Sequence, residues 1–309
     1  MTVALLFPGQ GSKGVLAGLE LATSFAEGRS LVERAAAAAG VAIEQIAAQG
    51  GRALDRTEVL QPVLTAIALA AHRRLRAAGV RARAVAGHSL GEIAAWCAAG
   101  AIAPEDAVEI AALRGRLMAR EAARRPGGLL ALLDGTETAV RAAIAIGKKR
   151  GAIDLGAVNA PDEVVLTGDD AALRAVAAAL PSRRLPVAGA WHGPAMAGAV
   201  EELRTALHAL PRRPLEAAFV SNRDGAVLDA DRAGEIPDRL ADQIACPVEW
   251  ARSLATLADR GVNDFITVGP GAVLRGLARK SAALTRARVH GTEDARDLAR
   301  TLEALGGPG

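Results

Sequence analysis

The stretch that most narrows what this chain can fold into is ARAVAGHSLGE, residues 82–92. A short apolar run ends in Gly87. Ser89 then stands between Gly87 and Gly91, and a helical pattern follows from Leu90 onward. Glycines on either side permit a tight turn and a close approach of helix to strand. Gly-x-Ser-x-Gly between a strand and a helix is the setting of a nucleophile elbow, which holds the hydroxyl exposed at the turn. Amides at the helix N-terminus stand ready there to stabilise an oxyanion. The competing reading is a serine that merely caps a helix.

The strand–helix alternation recurs along the chain. VALLF at 3–7 reads as a buried strand stopped by Pro8-Gly9, and residues 62–77 as a helix with proline at its start. Pro104-Glu105-Asp106 opens another helix, with acids in the first turn. The rhythm changes after Pro126. LLALL is a strand, ETAVRAAIAIGKK a helix, AIDLGAVNA and EVVLTG two strands around Pro161-Asp162, DAALRAVAAAL a helix and RRLPVAG a strand. This βαββαβ order is the ferredoxin-like pattern. It predicts a subdomain at 127–187, inserted into a larger α/β core made of 1–126 and 188–309. The core resumes with a helix over 194–209 and the strand LEAAFVSN. The helix CPVEWARSLATLADRG, the strand NDFITVG, the helix AVLRGLARK, the strand ARVHGT and a final helix follow. Such alternation predicts a mainly parallel sheet.

Composition excludes several function classes. At 51% hydrophobic and 23% charged the chain reads as soluble and globular. Four Phe, three Trp and no Tyr leave few rings to stack on bases, so nucleic acid is not an expected partner. The net charge of +3 suits an acidic partner instead. The apolar runs are too short for a membrane span, and VALLF lacks the basic leader of a signal peptide. Cys97 and Cys246 form no Cys-x-x-Cys, and the histidines are few and scattered, so neither disulfide framework nor metal site is expected. A reducing cytoplasm fits, and a monomer is the default expectation. The glycine-rich segments lack a Walker lysine or a third dinucleotide-loop glycine, so no cofactor is expected.

A serine nucleophile needs a base. His72 lies among Arg73, Arg74 and Arg76 and reads as solvated. His88 adjoins Ser89, so its ring should leave the elbow in another direction. His208 falls late in a helix and His290 near the end of a strand. His192, in Ala190-Trp191-His192-Gly193-Pro194, stands where a strand ends and a helix starts, a place that collects catalytic groups. The acid that would orient it does not declare itself. Asp154, Asp162, Asp169 and Asp170 lie between serine and histidine, but all fall in the inserted segment, and a backbone carbonyl would serve as well.

Arg114 sits on an apolar stripe, with Ile110, Leu117 and Met118 as its helical neighbours. An arginine there is costly unless paired. It is either a snorkelling or internally salt-bridged residue, or a bidentate clamp for a carboxylate.

These residues, taken together and in order, resemble the malonyl-CoA:acyl carrier protein transacylases and the acyltransferase domains of fatty acid and polyketide synthases. Phe7-Pro8-Gly9-Gln10-Gly11-Ser12, Gln61-Pro62, Gly87-His88-Ser89-Leu90-Gly91-Glu92, Arg114-Gly115, Asn159-Ala160-Pro161 and Val268-Gly269-Pro270-Gly271 carry the likeness nearly end to end. The resemblance implies a hydrolase-like core with a ferredoxin-like subdomain, and that Ser89 attacks malonyl-CoA with His192 as base, oriented by the backbone carbonyl of Gln243. It implies an oxyanion hole of the Gln10 and Leu90 amides, with Arg114 gripping the malonyl carboxylate and Gln61 and Asn159 also lining the substrate site. The acceptor would be the phosphopantetheine thiol of an acyl carrier protein. Lys13, Leu129-Leu130 and Trp191 depart from the usual pattern. A bulky Trp191 beside the base is expected to narrow the acyl pocket and favour malonyl over methylmalonyl. The alternatives are a thioesterase using the same elbow, a discrete acyltransferase for another acyl-CoA, and a non-catalytic carrier-binding subunit.

Overall fold

The computed structural model describes residues 2–12, 14–48 and 51–306, so Lys13 and the glycine-rich end at 307–309 lie outside the described residues. Ten strands, in chain order, are β1 (Val3–Phe7), β2 (Ala84–Gly87), β3 (Gly127–Leu132), β4 (Ile153–Ala160), β5 (Glu163–Asp169), β6 (Ser182–Arg184), β7 (Ala218–Val220), β8 (Val227–Leu228), β9 (Asp264–Thr267) and β10 (Arg288–Gly291). They make two sheets.

The larger sheet has the order β10-β9-β1-β2-β7-β8, with every pairing parallel except the edge strand β8. Its central strands β1, β2 and β9 are buried along their whole length, as expected where helices cover both faces. The mainly parallel sheet read from the alternation is therefore present. Ser89 follows β2 directly, at the carboxyl end of the sheet's centre, where α/β sheets place their ligands.

The smaller sheet is antiparallel throughout, in the order β4-β5-β3-β6. Its side chains alternate between two cores. Leu130, Leu132 and Leu166 pack with Ala143, Leu173 and Val176 of its own two helices. Leu129, Ala131, Ala157 and Val165 face the opposite way and join the main core. Main-chain bonds also tie the sheets' regions together. β4 is irregular between Leu155 and Ala157, and Val248 donates to the Gly156 carbonyl at 3.0 Å while accepting from Val158 at 2.8 Å.

Four elements differ from the sequence reading. The helix expected at 62–77 begins at Thr57, so Pro62 stands inside it rather than at its first turn. The lost N–H leaves the Glu58 carbonyl without its helical donor, a defect tolerable so near the helix start. The strand read in RRLPVAG ends at Arg184, because Pro186 cannot donate to a ladder. The helix expected over 194–209 opens as a 3-10 turn, Pro194–Ala199, before turning α-helical at Val200. The helix read from Cys246 starts at Trp250, since the Val248 main chain is committed to β4. Among the described residues no helix is long and apolar enough to cross a membrane.

Candidate active site

Two non-glycine residues with positive φ appear among the described residues: Ser89 at 53° and His192 at 61°. Left-handed backbone at a side-chain-bearing residue stores strain, and such strain gathers where geometry matters to function. Here both strained residues point at one another. Ser89 Oγ and His192 Nε2 are 2.7 Å apart.

The elbow explains the position of Ser89. A Cβ on Gly91 would lie 2.0 Å from the Phe7 carbonyl oxygen, so only glycine lets the helix Gly91–Ala98 start so close under β1. His88 N–H donates to that same carbonyl at 3.0 Å. The turn is therefore pinned to the neighbouring strand on both sides of the serine.

His192 is held by main chain. Its amide donates to the Ile244 carbonyl at 3.0 Å, and its Nδ1 lies 2.8 Å from the Gln243 carbonyl oxygen. A carbonyl only accepts, so Nδ1 carries the hydrogen and Nε2 presents its lone pair to the serine. Burial, then the Arg114 charge, pushes His192 down to about 3, so the ring is neutral in the resting site. That is the protonation state of a general base. No carboxylate takes the orienting role, which is why none of the four candidate aspartates stood out.

The guanidinium of Arg114 is the third group at the serine. The helix Pro104–Arg124 carries it, and Gly115 lets that helix pass close to the helix Thr57–Ala77. A Cβ at Gly115 would sit 2.9 Å from both Glu58 Cα and the Thr57 carbonyl oxygen. Arg114 is 1% exposed. Its Nη1 donates to Gln61 Oε1 at 2.7 Å, and its Nη2 donates to Ser89 Oγ at 3.1 Å and to Gln243 Oε1 at 3.0 Å. Burial lowers its pKa to about 10, a loss that nearby Glu92 offsets in part, so it remains a cation at neutral pH. Arg114 is thus neither snorkelling nor in a direct ion pair.

Gln61 is wholly buried and also donates to Thr57 Oγ1 at 2.8 Å and Met118 Sδ at 3.4 Å. Gln10 reaches the same Thr57 hydroxyl with its side chain. Among the described residues neither the Gln10 nor the Leu90 amide has an internal acceptor, which leaves both N–H groups free to donate to an oxyanion. Asn159 stands beside the cluster: its Oδ1 meets His88 Nε2 at 2.8 Å, and the His88 ring rests edge-on to Trp250. His88 thus does leave the elbow in another direction.

Trp191 flanks the base in sequence, and the far edge of its indole lies against Gly189, with Ala122 beside the same glycine. One expectation fails on geometry. His72 is half-buried rather than solvated, with its ring edge-on to Phe7 and its pKa pushed by burial down to about 4.

Two residues without a sequence-assigned role belong to the cluster. Glu92, 0% exposed, accepts from the Asn222 amide and from Gln243 Nε2 at 2.8 Å. Asn222, just past β7, also donates to the Gly87 carbonyl at 2.9 Å and so laces β2 to β7. Glu92 lies three residues after Ser89, in the quoted motif, and that spacing puts it on the serine's side of the helix. The polar pair Ser221-Asn222 ending the apolar run AAFV was the available signal for Asn222.

Comparison with known proteins bears on the chemistry. Residues 4–301 match the family model described as the acyl transferase domain. The polyketide synthase GfsB of Streptomyces halstedii is 34% identical over 297 residues, 90% of this chain, though the chain spans only 5% of that protein's length. The malonyl CoA-acyl carrier protein transacylase of Mycobacterium bovis is 34% identical over 293 residues, 90% of this chain and 92% of that protein. The fold is similar to that of PlMCAT:AntF, a type II polyketide synthase acyl-carrier protein in complex with its malonyl-transacylase. The TM-score is 0.88 with 26% identity, over 98% of this chain and 100% of that chain.

Proposed function

The chain belongs to the acyl transferase domain family, and on that premise we propose that it moves a malonyl group from malonyl-CoA, through an ester on Ser89, to the phosphopantetheine thiol of an acyl carrier protein. The observation that carries this reading is the placement of one oxygen, Ser89 Oγ, within hydrogen-bond reach of both a neutral imidazole and a buried guanidinium.

The steps follow from the geometry. His192 Nε2 takes the Ser89 proton as Oγ attacks the thioester carbonyl. The amides of Gln10 and Leu90 receive the oxyanion. The tetrahedral species collapses, and the CoA sulfur leaves with the proton from His192. The carrier thiol then repeats the sequence in reverse, giving its proton to His192 and attacking the serine ester, and Ser89 regains its hydrogen. A carbonyl behind the imidazole stabilises the imidazolium less than a carboxylate would. That suffices where the incoming nucleophile is a thiol, which loses its proton more readily than water does.

Arg114 supplies selectivity. Its Nη1 donates once and its Nη2 twice, all to neutral oxygens, and an incoming carboxylate displaces a neutral partner from one edge of the guanidinium. An acetyl group offers that edge nothing. The free carboxylate of the malonyl group matches it bidentately. Gln61 sets the fork's angle, and Asn159 borders the site through His88. This chemistry uses the CoA thioester as substrate and calls on no cofactor.

The βαββαβ order and antiparallel pairing of the smaller sheet support a ferredoxin-like subdomain over 127–187, set in a hydrolase-like core of 1–126 and 188–309. The net charge of +3 and the likeness to a malonyl-transacylase solved with its acyl-carrier protein support a carrier protein as acceptor.

The direct test is intact mass after incubation with malonyl-, methylmalonyl- or acetyl-CoA, before and after adding holo carrier protein. A malonyl adduct on Ser89 that moves to the carrier is the expected result. An adduct from another acyl-CoA alone would overturn the substrate assignment. Free CoA accumulating without an adduct would turn the reading to a thioesterase.

A further inference from the structure

Glu92 has no task in the steps above, yet it is buried completely beside the nucleophile. Its two oxygens are taken by the Asn222 amide and by Gln243 Nε2. The second contact fixes the Gln243 carboxamide. Because Nε2 also donates to the Ser89 carbonyl at 2.8 Å, Oε1 must face the other way, and there it accepts from Arg114 at 3.0 Å. One amide therefore relays between a buried carboxylate and a buried guanidinium.

The charges can be followed group by group. Arg114, from the helix Pro104–Arg124, is the cation facing Glu92. The remaining neighbours, Ser221 and Asn222 after β7 and Gln243 from its 3-10 turn, are neutral. The rings of His192 and His88 are kept uncharged by burial. The site thus holds one cation, Arg114, and one ionisable carboxyl group to balance it, Glu92. A malonyl group brings a second carboxylate to the same guanidinium, in a setting where Arg114 is only 1% exposed. Two carboxylates around a single cation in such a setting do not both stay ionised. The malonyl carboxylate pairs with Arg114 directly, whereas Glu92 reaches it only through Gln243, so Glu92 is the group that yields.

We propose that Glu92 is a specificity-determining residue, an exchangeable counter-ion that neutralises Arg114 when the acyl pocket is empty or holds an uncharged acyl group, and that takes up a proton when a carboxylate occupies the pocket. The inference rests on the malonyl-transfer reading and deepens it. Burial already raises Glu92 to about 7, so the exchange costs little at neutral pH. The Ser221 hydroxyl, free to rotate, is placed to accept a hydrogen bond from the protonated carboxyl.

Acylation itself is proton-neutral: Ser89 loses a hydrogen and the released CoA thiol gains one. Proton uptake during the first turnover therefore reports a change elsewhere. The experiment mixes the protein with excess malonyl-CoA or acetyl-CoA in weak buffer containing a pH indicator, and follows acylation by intact mass. Subtracting the acetyl trace from the malonyl trace cancels ionisation of the CoA thiol. The expected difference is an uptake of about half a proton per enzyme at pH 7, larger at pH 8, on linkage grounds. Glu92→Gln, nearly isosteric, should abolish it. It should also widen the malonyl-over-acetyl preference, because the guanidinium under an acetyl group then has no counter-ion, whereas the malonyl carboxylate supplies one. The wild-type difference alone decides the matter if that variant does not fold. Malonylation that depends on Arg114 but brings no uptake, or an undiminished uptake in Glu92→Gln, overturns the inference and leaves the malonyl-transfer reading standing. Absence of an Arg114-dependent malonyl adduct overturns both.

Discussion

Arg114 Nη2 donates to Ser89 Oγ at 3.1 Å, so the group assigned to the substrate's distant carboxylate touches the nucleophile itself. In the resting site the guanidinium is held by neutral oxygens from Gln61, Gln243 and Ser89. A bound carboxylate competes for it with those neutral partners and offers a full charge in their place.

Arg114→Ala should therefore cut malonyl loading of Ser89 by roughly two to four orders of magnitude, taking about 3–5 kcal/mol for a broken buried pair. Acetyl loading should change little. Arg114→Lys should fall between, because an ammonium keeps the charge and loses the fork. Initial acylation rates with the two acyl-CoAs measure this directly, and an unchanged malonyl-to-acetyl ratio would remove the clamp from the mechanism.

Gln243→Ala keeps the carbonyl that orients His192 and deletes the amide between Arg114 and Glu92. Each buried polar group left without a partner costs about 1–3 kcal/mol. The variant should lose stability of that order and discriminate poorly between acyl groups, while retaining most of its acetyl loading rate. Denaturant midpoints with both loading rates test it. Equal losses with both acyl-CoAs would show that the side chain serves the base instead.

The pH dependence of stability should carry two opposing contributions. His192 falls from 6.5 to about 3 on folding, so below pH 6.5 the unfolded chain binds a proton that the folded one refuses, and acid destabilises. Glu92 rises from 4.5 to about 7, so between those values the folded chain holds a proton that the unfolded one has released, and acid stabilises. Each slope is at most about 1.4 kcal/mol per pH unit. Glu92→Gln should consequently lose stability more steeply than the wild type between pH 6.5 and 4.5. Unfolding free energies at three pH values across that window suffice; parallel curves would contradict the Glu92 shift.

Glycine replacements should separate function from packing. Gly91→Ala puts a methyl 2.0 Å from the Phe7 carbonyl oxygen and should unseat the elbow, with loss of both loading and stability. Gly276 lies within the helix Ala272–Lys280, and a Cβ there would meet nothing within 4 Å. Gly276→Ala should stabilise by about 0.5–1 kcal/mol on helix propensity alone, with loading unchanged. Thermal melts of the two variants, run beside the wild type, give the comparison.

Much of this was legible in the sequence for local reasons. Gly87-x-Ser89-x-Gly91 after an apolar run specifies a strand, a turn and a helix within a few residues. Arg114 among Ile110, Leu117 and Met118 announced a buried charge from helical spacing. The partners of that charge were not legible, because Gln61, Ser89 and Gln243 meet only in the folded chain and Arg114–Gln243 spans 129 positions. The direction of the Trp191 indole was not legible either, because its neighbour His192 turns through a left-handed backbone and adjacency in sequence says little about where the ring goes. Helix starts shifted where main chain was already engaged elsewhere, as at Val248.

That engagement of Val248 has a mechanical consequence. It bonds to β4 through two main-chain hydrogen bonds and lies five residues beyond Gln243, whose carbonyl holds the His192 ring. The smaller sheet is thus geared to the His192 imidazole through one short stretch of chain. A rocking of that sheet would be felt at that ring as a small rotation, and a chimaera that exchanges residues 127–187 while leaving 243–248 behind would mesh two mismatched teeth.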